Sequence, residues 1–209
     1  MTESDKRKEK GLKTRQRIIE ATLEVLSEQG KEGLTSRAIA ERAGIGKGSL
    51  FHHFANMDEI LDAVYDALAE AGGQVVQGTE SAKTPREYIR LVLTNMMDYI
   101  IGSADQMTGF ISLYEIAMRE PRLWTKLQTT YKLWMEYSKE QLVARMDYEP
   151  DPKRLRQAML ILSSMIEGTG IVMTILQNPE DYRETIDPMV NCMTALIEKS
   201  ATPETRRQS

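Results

Sequence analysis

The sequence predicts an all-α protein, and three observations carry that prediction. Apolar residues recur at three- and four-residue spacing through most of the 209 residues, with no stretch of strand-like alternation. Capping residues, glycines and prolines punctuate those runs at helix-length intervals. Between Thr35 and Phe54, TSRAIAERAGIGKGSLFHHF reads as two short helices joined by a glycine turn, a helix-turn-helix. The expected plan is a flexible basic arm over 1–11, a helix-turn-helix domain with a connecting helix over 12–71, a loop or hinge over 72–84, a second helical domain over 85–200 and a disordered tail over 201–209.

Residues 1–11 are polar and rich in Lys and Arg, a composition that buries too little to order itself. A helix is expected from Lys13 to Gln29, with Ile18, Ile19, Thr22, Leu23, Val25 and Leu26 inward and Gly30 as its stop. Thr35 and Ser36 cap the next helix, whose small apolar face is Ala38, Ile39, Ala40 and Ala43, and Gly44 permits a left-handed exit. Ile45 turns inward and Gly46 opens the following helix, where Leu50 and Phe54, four apart, pack on Ile39 and Ile45. Asn56 and Glu59 have the spacing of a capping box for a helix to about Ala71, which docks through Ile60, Leu61, Val64, Tyr65 and Leu68. The stretch GGQVVQGTESAKTP then breaks the pattern. Helices are expected at about 85–102, 106–119, 121–147, 152–177 and 188–200, with Pro121 and Pro188 in first turns and a short turn opened at Asn178 and Pro179.

A net charge of −4 argues against a uniformly basic nucleic-acid binder, but its distribution is uneven: +3 over residues 1–56 and −7 over the remainder. The basic excess lies with the helix-turn-helix. A single cysteine, Cys192, excludes an intrachain disulfide and is expected to be a small buried hydrophobe. With no apolar export segment and no apolar run of eighteen residues, a reduced cytoplasmic setting without a membrane partner is expected. No phosphate-cradling GxxxxGK(S/T), no GxSxG, no HExxH and no paired-cysteine spacing occurs, so no catalytic role and no cofactor is expected. The adjacent His52 and His53 project about 100° apart on a helix, which disfavours a metal site.

On the second helix of the motif, burial of Leu50 and Phe54 leaves Lys47, Gly48, Ser49, Phe51, His52 and His53 outside. Donors, small residues and rings without carboxylates suit a DNA major groove. The run from Thr35 to Ile60, TSRAIAERAGIGKGSLFHHFANMDEI, resembles the DNA-binding domain of TetR-type, tetracycline-repressor-like regulators, whose pattern is close to T-x-x-x-I-A-x-x-A-G-(V/I)-x-x-(G/x)-x-(L/I)-Y-x-(H/Y)-F-x-x-K-(D/E)-x-(L/I). The resemblance covers about residues 12–66 and is architectural beyond. Three positions depart from it: Gly46 replaces a capping Ser or Thr, Phe51 the usual tyrosine, and Met57 the usual lysine, which removes two expected phosphate contacts.

The resemblance implies Thr35 and Ser36 as phosphate contacts at a helix N-terminus, Arg37 as a base reader, and Lys47, Gly48, Ser49, Phe51, His52 and His53 in or beside the groove. Gly48 costs helix stability, which is easier to explain if the backbone approaches the bases closely. It further implies a homodimer that binds a palindromic double-stranded operator and, as a repressor, releases it when a small apolar or amphipathic effector enters the second domain. For that effector the candidates are Met96, Ile100, Phe110, Tyr114, Tyr131, Trp134, Met165 and Thr169, in a part of the chain that holds eleven of the thirteen methionines. Ordinary core is the competing reading of such a stripe. Glu167, followed by glycine, makes the C-terminal part similar to choline-responsive repressors of the family, whose last two helices form the dimer. Ser164, Gly168, Met189, Met193, Leu196 and Ile197 are therefore the expected seam. Glu167 has two readings, a structural partner of a Lys or Arg at that seam or an anchor for a cationic ligand held with Tyr and Trp rings. The alternative of another class is a protein-interaction adaptor that retains the fold without specific DNA reading.

Overall fold

The computed structural model describes residues 2–102, 104–176 and 179–198, which form ten α-helices and one 3-10 turn in the described residues. The first helix, α1 (Glu3–Gly33), begins well before the expected Lys13. Thr2 caps it reciprocally with Asp5, the threonine hydroxyl accepting from the Asp5 amide while the carboxylate accepts from the Thr2 amide at 2.9 Å. The basic arm expected to be disordered is thus helical from Glu3, because the cap closes its first turn. The α1 ladder breaks at Gly30 (φ 65°), the predicted stop, and one further turn reaches Gly33.

Then follow α2 (Ser36–Arg42), α3 (Lys47–His53) and α4 (Met57–Val75), the last running past Ala71 into the expected hinge. The remaining hinge holds a 3-10 turn, Thr79–Ser81. After it come α5 (Pro85–Gly102), α6 (Ala104–Arg119), α7 (Pro121–Val143), α8 (Pro152–Leu176), α9 (Pro179–Arg183) and α10 (Ile186–Glu198). Two boundaries differ from the sequence reading. Helix α7 stops at Val143 rather than 147 because its end tightens into i→i+3 bonds, Arg145 to Leu142 and Met146 to Val143. Helix α10 starts two residues before Pro188, which the unpaired amides of a first turn tolerate. Residues 201–209, the expected tail, lie outside the described residues.

The described residues form two compact units, those within 1–71 and 105–128 and those within 72–104 and 129–198. In the first, Ile18, Leu26, Ile39, Leu50, Phe54, Ile60 and Val64 make the centre of a core that Leu113, Ile116, Ala117 and Leu123 complete. The sequence assigned 105–128 to the second domain by chain order; packing groups it with the first. A β-carbon at Gly109 of α6 would stand 2.8 Å from the Leu23 carbonyl oxygen of α1, so glycine is what permits this approach. The Tyr65 hydroxyl donates to the Leu113 carbonyl, and burial pushes its phenol up to about 12. Arg122 pairs with Asp62, and Lys126 with Asp66 at 2.7 Å.

In the second unit α10 packs on α5 and α8, and α5 also meets α8, α9 and the 3-10 turn. Tyr88, Ile89, Val92, Leu142, Ala158, Leu162, Val190, Met193 and Ile197 are among its most buried side chains. Arg145, just past α7, donates to the carbonyls of Thr79 and Ala82, both at 3.0 Å, and its guanidinium lies 4.9 Å from the Tyr88 ring centroid. Cys192, expected inside, is exposed: the buried face of α10 carries Val190, Met193, Thr194 and Ile197 instead.

Candidate nucleic-acid interface

The two motif helices are seven residues each, too short to hold themselves in water. Their ends are held by α1. Arg17 donates to the Ala43 carbonyl at the end of α2, and Arg15 to the His53 carbonyl at the end of α3. Arg15 also lies 3.9 Å from the Phe54 ring centroid and 3.4 Å from Glu59, whose other oxygen accepts from the Ala55 amide at 2.7 Å. Arg42 of α2 reaches back to Glu24 at 3.1 Å and to Glu28. None of these arginines was singled out by sequence. Their only signal was a basic residue near the register of a helix end, which many solvated arginines share.

Between the helices Gly44 has φ 63°, and the amides of Gly44 and Ile45 close on the carbonyls of Glu41 and Ala40 at 3.1 and 2.9 Å. Gly46 begins α3 in extended conformation with no side-chain cap. Asn56 caps α4 through its side-chain oxygen on the Glu59 amide at 2.9 Å, one half of the expected capping box, while the Glu59 carboxylate returns to the Ala55 amide rather than to that of Asn56. Met57, where the resemblance expects a lysine, is half-buried and packs against the core, so an apolar contact stands in place of a phosphate clamp.

The outward residues form one polar surface. Thr35, Arg37, Lys47, Gly48, Ser49 and His52 are exposed, Phe51 is 40% exposed, and Ser36 and His53 are half-buried. The Thr35 hydroxyl accepts from the Ala38 amide at 3.1 Å, so it caps α2 while remaining open to solvent. Arg37 rests on Glu41 at 2.8 Å and is held in register along α2. Nothing stands within 4 Å of a β-carbon built on Gly48, so packing inside the chain does not require that glycine. Desolvation first, and then the proximity of His52 and Arg15, holds His53 below the usual histidine range.

The residues expected to line an effector site fall into both units. Phe110 and Tyr114 belong to the first, their rings edge to face with centroids 5.0 Å apart. Met96, Ile100, Tyr131, Trp134, Met165 and Thr169 belong to the second, with Ile100 and Thr169 buried and the others half-buried. There Tyr131 of α7 donates its hydroxyl to Glu167 of α8, a neutral partner that neither sequence reading of Glu167 foresaw. Of the expected dimer seam, Ser164 is exposed and Gly168, Met189 and Leu196 are half-buried, but Met193 and Ile197 are taken up by the core of their own chain. What α8 exposes instead is Leu160, Ile161, Ile171, Val172, Ile175 and Leu176. With Ser164 and Gly168 these recur at three- and four-residue steps along one side. Sequence reasoning missed them because α8 is apolar on more than one side, and periodicity does not say which side faces home.

Residues 18–64 match the pattern described as bacterial regulatory proteins, tetR family. The HTH-type transcriptional regulator BetI 1 of Chromohalobacter salexigens is 30% identical over 159 residues, covering 74% of this chain and 75% of that protein. Among solved structures, a transcriptional regulator from Rhodococcus sp. Rha1 superposes with a TM-score of 0.74 at 17% identity, over 90% of this chain and 99% of that one. The multidrug binding protein EbrR, complexed with malachite green, gives a TM-score of 0.61 at 25% identity, over 88% and 97%. The pattern falls on the helices that build the polar surface, and the BetI relative extends the likeness through most of the chain. The chain belongs to the tetR family of bacterial regulatory proteins.

Proposed function

We propose that the protein is a ligand-responsive transcriptional repressor that binds a palindromic operator as a dimer through α2 and α3 and leaves it when a small apolar or amphipathic effector binds. The observation that carries this reading is the surface of Arg37, Lys47, Gly48, Ser49, Phe51 and His52, free of carboxylates on α3 and fixed from behind by α1. Positioning of this kind matters because bidentate base contacts discriminate only at defined geometry. Thr35 and Ser36 take phosphate, Arg37 reads a base, and Lys47, Gly48 and Ser49 enter the groove first, with Phe51, His52 and His53 along its wall.

Two such surfaces related by a two-fold axis address half-sites about 34 to 36 Å apart, or a spacing adjusted by DNA distortion. The exposed apolar side of α8 supports a seam there, with Ser164 and Gly168 allowing close approach and Met189 and Leu196 of α10 beside it. The half-buried rings and thioethers of the second unit support an apolar or amphipathic effector, and EbrR, similar in fold, holds malachite green. Release is a population shift: the effector favours a dimer in which the reading surfaces no longer match the groove, and a coupling of about 1 to 3 kcal/mol lowers operator affinity roughly 5- to 150-fold.

Selection of bound sequences from random duplex DNA at about physiological salt tests the reading, because non-specific binding weakens steeply with salt. A palindromic motif is the expected result. A folded dimer that enriches no motif would overturn it in favour of a protein-interaction adaptor.

A further inference from the structure

The first three turns of α1 have no place in the core of the reading unit. Residues 5–10 are exposed, as is Lys13, and Leu12 is 67% exposed. The segment is nevertheless ordered as helix, capped by Thr2 and Asp5. Its direction is fixed by Arg15, which grips the carbonyl of His53 at the end of α3 and stacks on Phe54. At 1.5 Å per residue, the twelve residues from Glu3 to Arg15 project about 18 Å from that grip.

Charge on this projection has a side. Arg7 and Lys8 lie eight and seven residues before Arg15, and Gly11 four before it, so all three share the face by which Arg15 meets α3. Lys6 and Lys10 lie on the far side. The two acids among residues 5–13 are already engaged: Asp5 accepts from the Thr2 amide and hydroxyl at 2.9 and 2.7 Å, and Glu9 pairs with Lys13 at 2.7 Å. Gly11 leaves the backbone bare between Arg7, Lys8 and Arg15, with nothing within 4 Å of its β-carbon position. A helical segment exposed over residues 5–10, which leaves from the end of the reading helix and turns two cations toward that side, is complementary to a polyanion continuing past α3.

We infer that the N-terminal projection of α1 is a second DNA contact, in which Arg7 and Lys8 hold backbone phosphates outside the half-site read by α3. This rests on the DNA-reading function proposed above and extends its footprint. Arg7 and Lys8 stand about 12 and 10 Å along the helix from Arg15, a reach of about three base steps at 3.4 Å. Phosphate contacts of this kind add affinity without adding sequence preference.

The test compares full-length protein with R7Q/K8Q and with the far-side control K6Q/K10Q. Each is titrated between 50 and 200 mM salt against the selected operator, with and without six flanking base pairs on each side. Loss of two phosphate contacts lowers the slope of log affinity on log salt by about 0.9 each, so R7Q/K8Q is expected to reduce it by nearly 2 per protomer. Removing the flanks from the duplex should reproduce that loss in the unaltered protein, and the selected motif should not change. An unchanged slope in R7Q/K8Q, an equal loss in K6Q/K10Q, or a loss indifferent to the flanks would overturn the inference while leaving operator reading intact. Failure of the unaltered protein to select any motif would instead remove the reading on which the inference rests.

Discussion

Helices α3 and α8 each present an open face, and the two faces could hardly differ more in chemistry. That of α3 carries Lys47, Gly48, Ser49, Phe51 and His52; that of α8 carries Leu160, Ile161, Ile171, Val172, Ile175 and Leu176. Burial within one chain ranks both simply as exposed. The character of what is exposed separates them: donors and an open backbone want a hydrated, negatively charged partner, whereas a contiguous apolar stripe wants another apolar surface. The difference extends to what stands behind each face. Polar clasps from Arg15 and Arg17 hold the ends of α2 and α3, while α8 packs on α5 and α10 with Ala158, Met159 and Leu162 buried and takes a hydrogen bond from Tyr131 at Glu167. A polar reader needs its angles fixed, and an apolar seam needs area.

The sharpest break between the two faces is a charge placed on the apolar one. Ile175 is 70% exposed, so Ile175→Glu costs the isolated chain little. At a dimer seam the same carboxylate would be buried without a partner, at about 3 kcal/mol or more. The expected outcome in analytical ultracentrifugation is a dimer weakened by over a hundredfold, with helix content intact. An unchanged dimer would place the seam elsewhere and leave the α8 stripe without its assigned partner.

The clasp behind α3 gives the intermediate effect. Arg15→Ala removes a charged donor from the His53 carbonyl, the stack on Phe54 and the approach to Glu59. Because Arg15 is half-exposed, the expected loss is about 1 to 2 kcal/mol in urea unfolding. Operator affinity should fall further than in Arg37→Ala, since the whole of α3 loses its register while Arg37→Ala relaxes preference at one base pair of each half-site. Equal stability with full operator affinity would show that α3 keeps its place without the clasp.

What was legible in advance follows the same division. The motif from Thr35 to Phe54 could be read almost residue by residue, because its turn, caps and buried positions are local: Gly44 takes its positive φ, Thr35 caps, and Leu50 and Phe54 are buried. The arginines that lock it were not legible, since Arg15 and His53 are 38 residues apart and nothing at either position announces the other. The grouping of α6 with the first unit was missed for the same reason, resting as it does on Gly109 meeting Leu23. On α10 the apolar residues were found but their direction was not. Met193 and Ile197 face the chain's own core and Cys192 faces out, and an apolar helix with more than one candidate side leaves that choice to packing.

The smallest change tests how local the polar face is. Gly46 holds the position before α3 at φ −72° and ψ 149°, a conformation serine adopts freely, and nothing lies within 4 Å of a β-carbon built there. Gly46→Ser therefore adds a side-chain oxygen able to accept from the first-turn amides of α3, at no steric cost. Because glycine is itself a tolerable cap, the gain should be a few tenths of a kcal/mol, or about 1 °C in Tm. A cap also fixes the amides that a phosphate would otherwise approach, so the same variant asks whether α3 spends its free amides on itself or on DNA. A small gain in Tm with unchanged operator affinity assigns phosphate binding to α2 and its Thr35 and Ser36. A gain in Tm accompanied by weaker binding would assign part of it to the open N-terminus of α3, and the absence of a cap at Gly46 would then be a feature of the reading face.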